Sequence, residues 1–263
     1  MQYVKDWYEF CSTKNNYNGE GTALTIGVFD GVHRGHTALL EAIKRTALRT
    51  VVVTFDKNPE ELLFKHKRNR INTLRQKYNY LKSKNIDDII VIDFSHEFSK
   101  IRGDVFIRTL IDKLNIKHLC LGQDFRCGYN LDTDIDTISG LFYNVVNIEI
   151  VEDVRYKDNK ISSSLIRKEI EKGNLLLVNE LLGREYCFDF YGIEPDSFEE
   201  YIVFPVEKIV QVMPPKGKYY VDITHNMCDF YPSMMRIEEK GVFFDKKNIQ
   251  DTSIAEVRIK YTL

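Results

Sequence analysis

Leu24-Thr25-Ile26-Gly27-Val28-Phe29-Asp30-Gly31-Val32-His33-Arg34-Gly35-His36 is the stretch on which the fold turns. Leu24–Phe29 is an apolar run that breaks into a glycine-rich turn. Apolar residues at helical spacing then follow within His36–Leu48: Leu39, Leu40, Ile43 and Ala47. A buried strand that feeds a helix through such a turn gathers unpaired backbone N–H groups and the positive end of the helix dipole at one place. A phosphate is favoured there. Gly27 and Gly31 let the backbone approach a ligand or take positive φ, and Gly35 keeps bulk away from the space between two imidazoles. His33 and His36, three residues apart, share one face of a helix and can donate hydrogen bonds to a polyphosphate.

Outward from this segment, strand and helix signals alternate. Thr50–Phe55 is a β-branched run suited to burial on both faces. Thr73–Lys84 reads as a helix and Asp88–Phe94 as a strand. Gly103–Leu114 reads as a helix with Val105, Phe106, Leu110, Ile111 and Leu114 inward. Lys117–Leu121 and Val145–Val151 read as strands, and Ser162–Glu171 and Asn174–Leu182 as two short helices parted by Gly173. Alternation of this kind predicts a parallel sheet with helices on both faces, with ligands at the carboxyl ends of its strands where the strand order reverses. From Cys187 onward helical periodicity is lost. Short runs at Tyr201–Phe204, Lys208–Met213, Lys218–Ile223, Met234–Glu238, Gly241–Asp245 and Ile254–Leu263 predict a small antiparallel, barrel-like β domain.

The bulk properties narrow the function. The chain has 263 residues, with 37 Lys and Arg against 39 Asp and Glu, so no basic excess points to nucleic acid. The basic cluster between Lys65 and Arg75 reads as a solvated loop and helix start, or as a phosphate-steering patch. Five widely spaced cysteines without a CxxC argue against a disulfide framework or a structural zinc site. No apolar run reaches the roughly 20 residues needed to cross a bilayer, and the first residues lack a signal-peptide pattern. A cytoplasmic protein with no membrane or nucleic-acid partner is expected; oligomeric state is not encoded legibly. A P-loop is excluded, since no GxxxxGK[ST] occurs. His33 and His36 retain two further readings: ligands of a metal, although no third ligand with zinc-site spacing stands out, or ordinary surface and capping residues.

A second signal is Ile161-Ser162-Ser163-Ser164-Leu165-Ile166-Arg167. A serine run ahead of an apolar helix is an N-cap signature. Arg167 then sits near the helix start, where a guanidinium can grip phosphate oxygens in a fork.

Together these motifs resemble the bacterial FAD synthetase family of the HxGH nucleotidyltransferase superfamily. Four segments match in order: GVFDGVHRGH at 27–36, TFDKNP at 54–59 (similar to TFDPHP), GQDFRCG at 122–128 (similar to GxDFxFG), and ISSSLIR at 161–167 followed by LLGREY at 181–186. The resemblance implies an α/β, Rossmann-like nucleotidyltransferase domain at 1–186 and a degenerate riboflavin-kinase-like β domain at 187–263. It implies transfer of AMP from ATP to FMN, giving FAD and pyrophosphate, with Mg²⁺ accompanying ATP. His33, His36 and Arg167 would be the catalytic residues. Gly27, Phe29, Asp30, Gly31, Asn58, Gly122, Asp124, Phe125, Ser162, Ser163 and Ser164 would bind nucleotide or flavin. Asn58 stands where the family commonly has His, and Cys127 where it has Phe. The kinase signature resembling GRxLGFPTAN is missing between Phe188 and Pro205, although Pro214–Tyr220 keeps a P-x-G-x-Y turn. The chain also stops before the kinase barrel's usual terminal helix, so kinase activity is not expected. An adenylyltransferase with another phosphate acceptor, or a non-catalytic flavin- and nucleotide-binding module, are the competing readings.

Overall fold

The computed structural model describes residues 2–13, 17, 19–57, 69–249 and 251–262. Asn58, Pro59 and the Lys65–Arg68 part of the basic cluster lie outside the described residues. The chain packs as two compact units, Met1–Arg68 with Lys77–Lys160, and Asn69–Gln76 with Ile161–Leu263.

Among the described residues, the first unit is built on a six-stranded sheet. Its strands are β1 Gln2–Val4, β2 Thr22–Ile26, β3 Arg49–Phe55, β4 Asp88–Ile92, β5 Ile116–Gly122 and β6 Asn147–Val151, in the order β1-β4-β3-β2-β5-β6. Every pairing is parallel. The helices are α1 Trp7–Ser12, α2 Arg34–Lys44, α3 Leu74–Ser83 (which starts in the second unit's 69–76 segment), α4 Gly103–Leu114 and α5 Ile135–Phe142. β2 is buried along its whole length and β3 from Thr50 onward, as expected of parallel strands covered on both faces. One face carries Leu24, Ile26, Val51, Val53, Ile90, Ile92, Leu119 and Leu121 into a core shared with α1, α4 and α5; α2 packs across β2, β3, β5 and β6. Strand order reverses between β2 and β5, so the crevice where an open parallel sheet binds its ligand opens beyond Ile26 and Gly122.

Two sequence expectations are corrected here. Val105 is 49% exposed on α4, and Ile107 takes the inward place beside Phe106 and Leu110. Ala47 lies past the end of α2 with φ 57°, so the helix stops at Lys44 rather than reaching Leu48.

The second unit holds α6 Ser163–Glu171, α7 Leu175–Leu182 and a seven-stranded antiparallel sheet. Its strands are β7 Cys187–Asp189, β8 Asp196–Ser197, β9 Tyr201–Pro205, β10 Gly217–Thr224, β11 Tyr231–Glu238, β12 Gly241–Asp245 and β13 Glu256–Thr262, in the order β7-β13-β10-β11-β12-β9-β8. The sheet curls as a half-barrel whose ladder stays open between β7 and β8. The expected strand at Lys208–Met213 is absent: a 3-10 turn covers Val206–Lys208, and Gln211 makes only an isolated bridge to Arg70. The segment's main chain bridges to Arg70, whose N–H donates to Val210 O and whose O accepts Val212 N–H, and the buried Gln211 side chain binds main-chain groups of Ile71, Cys187 and Asp189, holding 69–76 to this unit. Arg75 completes that clasp with a forked contact to Asp189. The compact units part the chain between Lys160 and Ile161, with α6 and α7 in the second. Helix periodicity reports local structure and carries no information on which core α6 and α7 join.

Candidate functional site

The turn after β2 is held in a conformation that few residues adopt. Phe29, Gly31 and Val32 have φ of 52°, 83° and 37°; for a β-branched valine this region is strained. Long-range contacts hold it. The Thr54 hydroxyl donates to the Val28 carbonyl at 3.0 Å, and the buried Lys77 ammonium donates to the same carbonyl at 2.8 Å, to Phe55 O at 2.8 Å and to Thr54 Oγ1 at 3.2 Å. A Cβ on Gly27 would stand 3.1 Å from the Phe29 ring, so glycine makes room for that ring. The ring in turn lies 4.9 Å from the His36 imidazole.

The two histidines then cap α2 for each other. His33 is the N-cap residue, and its Nδ1 accepts the His36 backbone N–H at 3.3 Å. The His36 Nδ1 accepts the His33 backbone N–H at the same distance. This is a capping box with imidazoles in both roles. The rings stack with centroids 3.7 Å apart, so no gap between them exists for Gly35 to keep clear. Since His33 lies just outside the helix, the pair meets through cap geometry rather than a shared helical face. A ring nitrogen that accepts a hydrogen bond carries no proton, so each neutral imidazole holds its proton on Nε2. Both rings thus present Nε2–H donors at the positive end of α2. The capping reading of this pair is met, each Nδ1 accepting the other residue's backbone N–H.

The second crevice-forming segment follows β5. Phe125 N–H donates to Gly122 O at 3.0 Å to make a tight turn, and Arg126–Cys127 pairs antiparallel with Thr133–Asp134. Gly128 has φ 84°, and a Cβ there would meet Gly103 N at 2.1 Å; only glycine lets the loop lie against the start of α4. Asp124 is anchored by Lys160, which also pairs with Asp153 at 2.8 Å. Burial works against the Lys160 charge, yet the two carboxylates hold its pKa above the usual lysine value.

Between the two segments lies a cavity of about 280 Å³. Gly27 and Val28 line one side, Asp124–Gly128 with Asn130 and Leu131 another, and Phe55, Phe94, Phe98 and Phe106 the floor. Its lining is mostly apolar and aromatic, with Ser99, Asp124, Arg126 and Asn130 as the polar members. Burial, with Asp132 and Asp104 adding to it, pushes the Cys127 thiol up to about 12, so the side chain is a neutral lining group.

In the second unit, Ser162 is the N-cap of α6, its hydroxyl oxygen accepting Leu165 N–H at 3.2 Å. Ser163 and Ser164 form the first turn, Ser164 exposed. Arg167 is buried, and its Nε donates to Asn69 O at 3.2 Å. The structure thus gathers Gly27, Phe29, Asp30, Gly31, His33 and His36 at one turn of the first unit and Gly122, Asp124 and Phe125 in its second crevice loop. It places Ser162–Ser164 and Arg167 in the second unit. Sequence reading missed Lys77 and the floor phenylalanines. Lys77 was detectable as a charged residue on the inward face of α3, one turn before Leu81.

The profile of a family described as FAD synthetase matches residues 15–165. A bifunctional riboflavin kinase/FMN adenylyltransferase of Buchnera aphidicola from Schizaphis graminum is 36% identical over 86% of this chain and 76% of its own length. The protein of the same description from Escherichia coli K12 is 33% identical, over 78% of this chain and 68% of its own length. A solved structure titled macrolide-efflux protein, from Streptococcus pneumoniae, superposes with a TM-score of 0.82 over all of this chain and 91% of that one. At 21% identity it speaks for the fold alone.

Proposed function

The chain belongs to the FAD synthetase family, and from that premise we propose that it transfers AMP from ATP to FMN at the crevice beyond β2 and β5. It is an FMN adenylyltransferase. The observation that supports the assignment of the site is the reciprocal histidine cap, which commits both Nδ1 atoms to the main chain and fixes two stacked imidazoles at a helix N-terminus.

ATP enters as its magnesium complex. His33 and His36 donate to its phosphate oxygens, and the α2 N-terminus adds the favourable potential of its dipole. An oxygen of the FMN phosphate attacks the α-phosphorus in line. The new P–O bond joins the two nucleotide halves, the bond from the α-phosphorus to the bridging oxygen breaks, and its electron pair leaves with pyrophosphate. The attacking oxygen is already ionised at neutral pH, so no general base is required. Catalysis is positioning plus stabilisation of the charge that develops on the leaving group, each preorganised donor being worth about 3 kcal/mol. Because the Nδ1 atoms accept N–H bonds, the histidines act as neutral dipoles; protonating either ring would break its cap. Gly31 and Asp30 complete the turn. Asp124 and Phe125 line the aromatic cavity, Gly122 opens the turn that carries them, and the cavity's size and lining suit the flat isoalloxazine ring. Cys127, in place of a phenylalanine, leaves that end of the cavity wider.

Ser162, Ser163, Ser164 and Arg167 are assigned further phosphate contacts, on the strength of the ISSSLIR match, and Asn58 a contact near the phosphates through its amide. Functionally we divide the chain at 186/187, with transfer in 1–186. To residues 187–263 we assign no kinase step, because the glycine- and proline-bearing kinase signature does not occur there. The setting proposed is the cytoplasm, where ATP is available. Incubating the protein with ATP, Mg²⁺ and either FMN or riboflavin, and separating products by chromatography, tests all of this. FAD from FMN and nothing from riboflavin is expected. Absence of FAD removes the transferase assignment, whereas FMN from riboflavin would place a kinase step in 187–263 and leave the transferase assignment standing.

A further inference from the structure

β5 carries a second set of chemistry on the face away from the cavity. Residues two apart on a strand point the same way. Leu119 and Leu121 enter the aromatic core, so His118 and Cys120 turn to the other face, where α2 packs. β6 brings Glu149 into register with Cys120. The donor atoms converge: His118 Nε2 is 3.0 Å from Glu149 Oε2, Cys120 Sγ is 3.8 Å from that same oxygen, and all three lie within 4.8 Å of one another. Among the described residues no other group of three His, Cys, Asp or Glu side chains converges in this way.

The spacing fits an ion. Tetrahedral zinc has bonds of about 2.0 Å to nitrogen and oxygen and about 2.3 Å to sulfur, which places neighbouring ligand atoms roughly 3.3–3.5 Å apart. The two separations to Glu149 Oε2 fall on either side of that distance, and His118 Nε2 and Cys120 Sγ lie within 4.8 Å of each other, so closing the three side chains on a common centre would seat a metal where a hydrogen bond is now shared. The surroundings fit as well. Asn147 lies 2.9 Å from His118 Nδ1, and its amide can turn its oxygen to accept the Nδ1–H that an Nε2-ligated imidazole carries. Arg45 holds the other Glu149 oxygen at 2.5 Å, leaving Oε2 for the ion. The Glu149 and Arg45 side chains are partly exposed, which gives a path from solvent.

We propose that His118, Cys120 and Glu149 bind one thiophilic divalent transition-metal ion of the zinc type, with a water in the fourth position, as a structural pin between β5 and β6. The Cys120 thiol proton leaves to solvent as the sulfur–metal bond forms, and the His118 proton moves from Nε2 to Nδ1. The site is separate from the magnesium that accompanies ATP, and it is independent of the transferase assignment.

Cobalt(II) is the probe. Full-length protein stripped with a chelator should take up one equivalent, show a sulfur-to-cobalt charge-transfer band with tetrahedral ligand-field bands, lose both to added Zn²⁺, and melt at a higher temperature with metal than without. Cys120→Ser should abolish the sulfur band, while Cys228→Ser, at an exposed cysteine, should keep it. Glu149→Gln and His118→Gln preserve shape and should each weaken cobalt binding at least about tenfold. They decide the matter if Cys120→Ser fails to fold. A missing sulfur band in the parent protein, a band that survives Cys120→Ser, or cobalt affinity unchanged in both isosteric variants would overturn the proposal.

Discussion

Two helix starts in this chain carry the polar motifs, and they spend their side chains in opposite ways. At α2 the capping groups are imidazole nitrogens. Each has a second nitrogen on the far side of a rigid ring, so the atom that caps and the atom that donates are different. At α6 the cap is the Ser162 hydroxyl, one oxygen that accepts Leu165 N–H and has only its own proton left to give. The same backbone requirement, satisfying orphan N–H groups, is met by a pair of stacked imidazoles in one case and by a single hydroxyl in the other. The lesson is that a cap also supplies function when its side chain is bifunctional across a fixed distance.

Three substitutions press on that contrast. His36→Ala removes a donor and one half of the reciprocal cap. Turnover should fall at least about a hundredfold, while the melting curve reflects only the loss of about 1 kcal/mol expected of a cap. Near-normal turnover would reduce the α2 start to the status of the α6 start. Arg167→Lys comes next. A lysine cannot reproduce the guanidinium fork, and a hydrogen bond to a charged group is worth about 1.5–3 kcal/mol, so kcat/KM for ATP should drop roughly ten- to a hundredfold. An unchanged value would leave Arg167 as the clasp on Asn69 and nothing more. The smallest effect belongs to Ser162→Ala: about 1 kcal/mol less stability by denaturant titration, with kcat/KM lowered by less than about tenfold. A large activity loss without any stability loss would invert the comparison.

Much of the parallel sheet was legible because β3 and β4 are apolar or β-branched along most of their length and helices alternate with the strands; α4 was read to its terminal residues. What escaped depends on distant partners. β1 and α1 contribute only Val4, Trp7 and Phe10 to the core, too few to show a period, and β1 pairs with β4 some ninety residues away. α5 was missed although Asp134 caps it by accepting Thr137 N–H, a signal present in the sequence. Lys208–Met213 looked like a strand from its β-branched residues, and burial does alternate over Lys208–Gln211, but Val212 beside Gln211 is buried as well and the segment makes only a bridge to Arg70. For the site, the motif located the turn after β2 and the start of α2. The stacking of the rings, the tautomer and the role of Lys77 required coordinates, because each depends on angles and on Val28 and Thr54 being brought together by the sheet.

The paired histidine cap has one more consequence. Because the bonds that finish α2 also aim the rings, the orientation of both imidazoles is set within four consecutive residues as soon as the first turn winds. Disorder at that turn would release both rings and fray the helix in a single event.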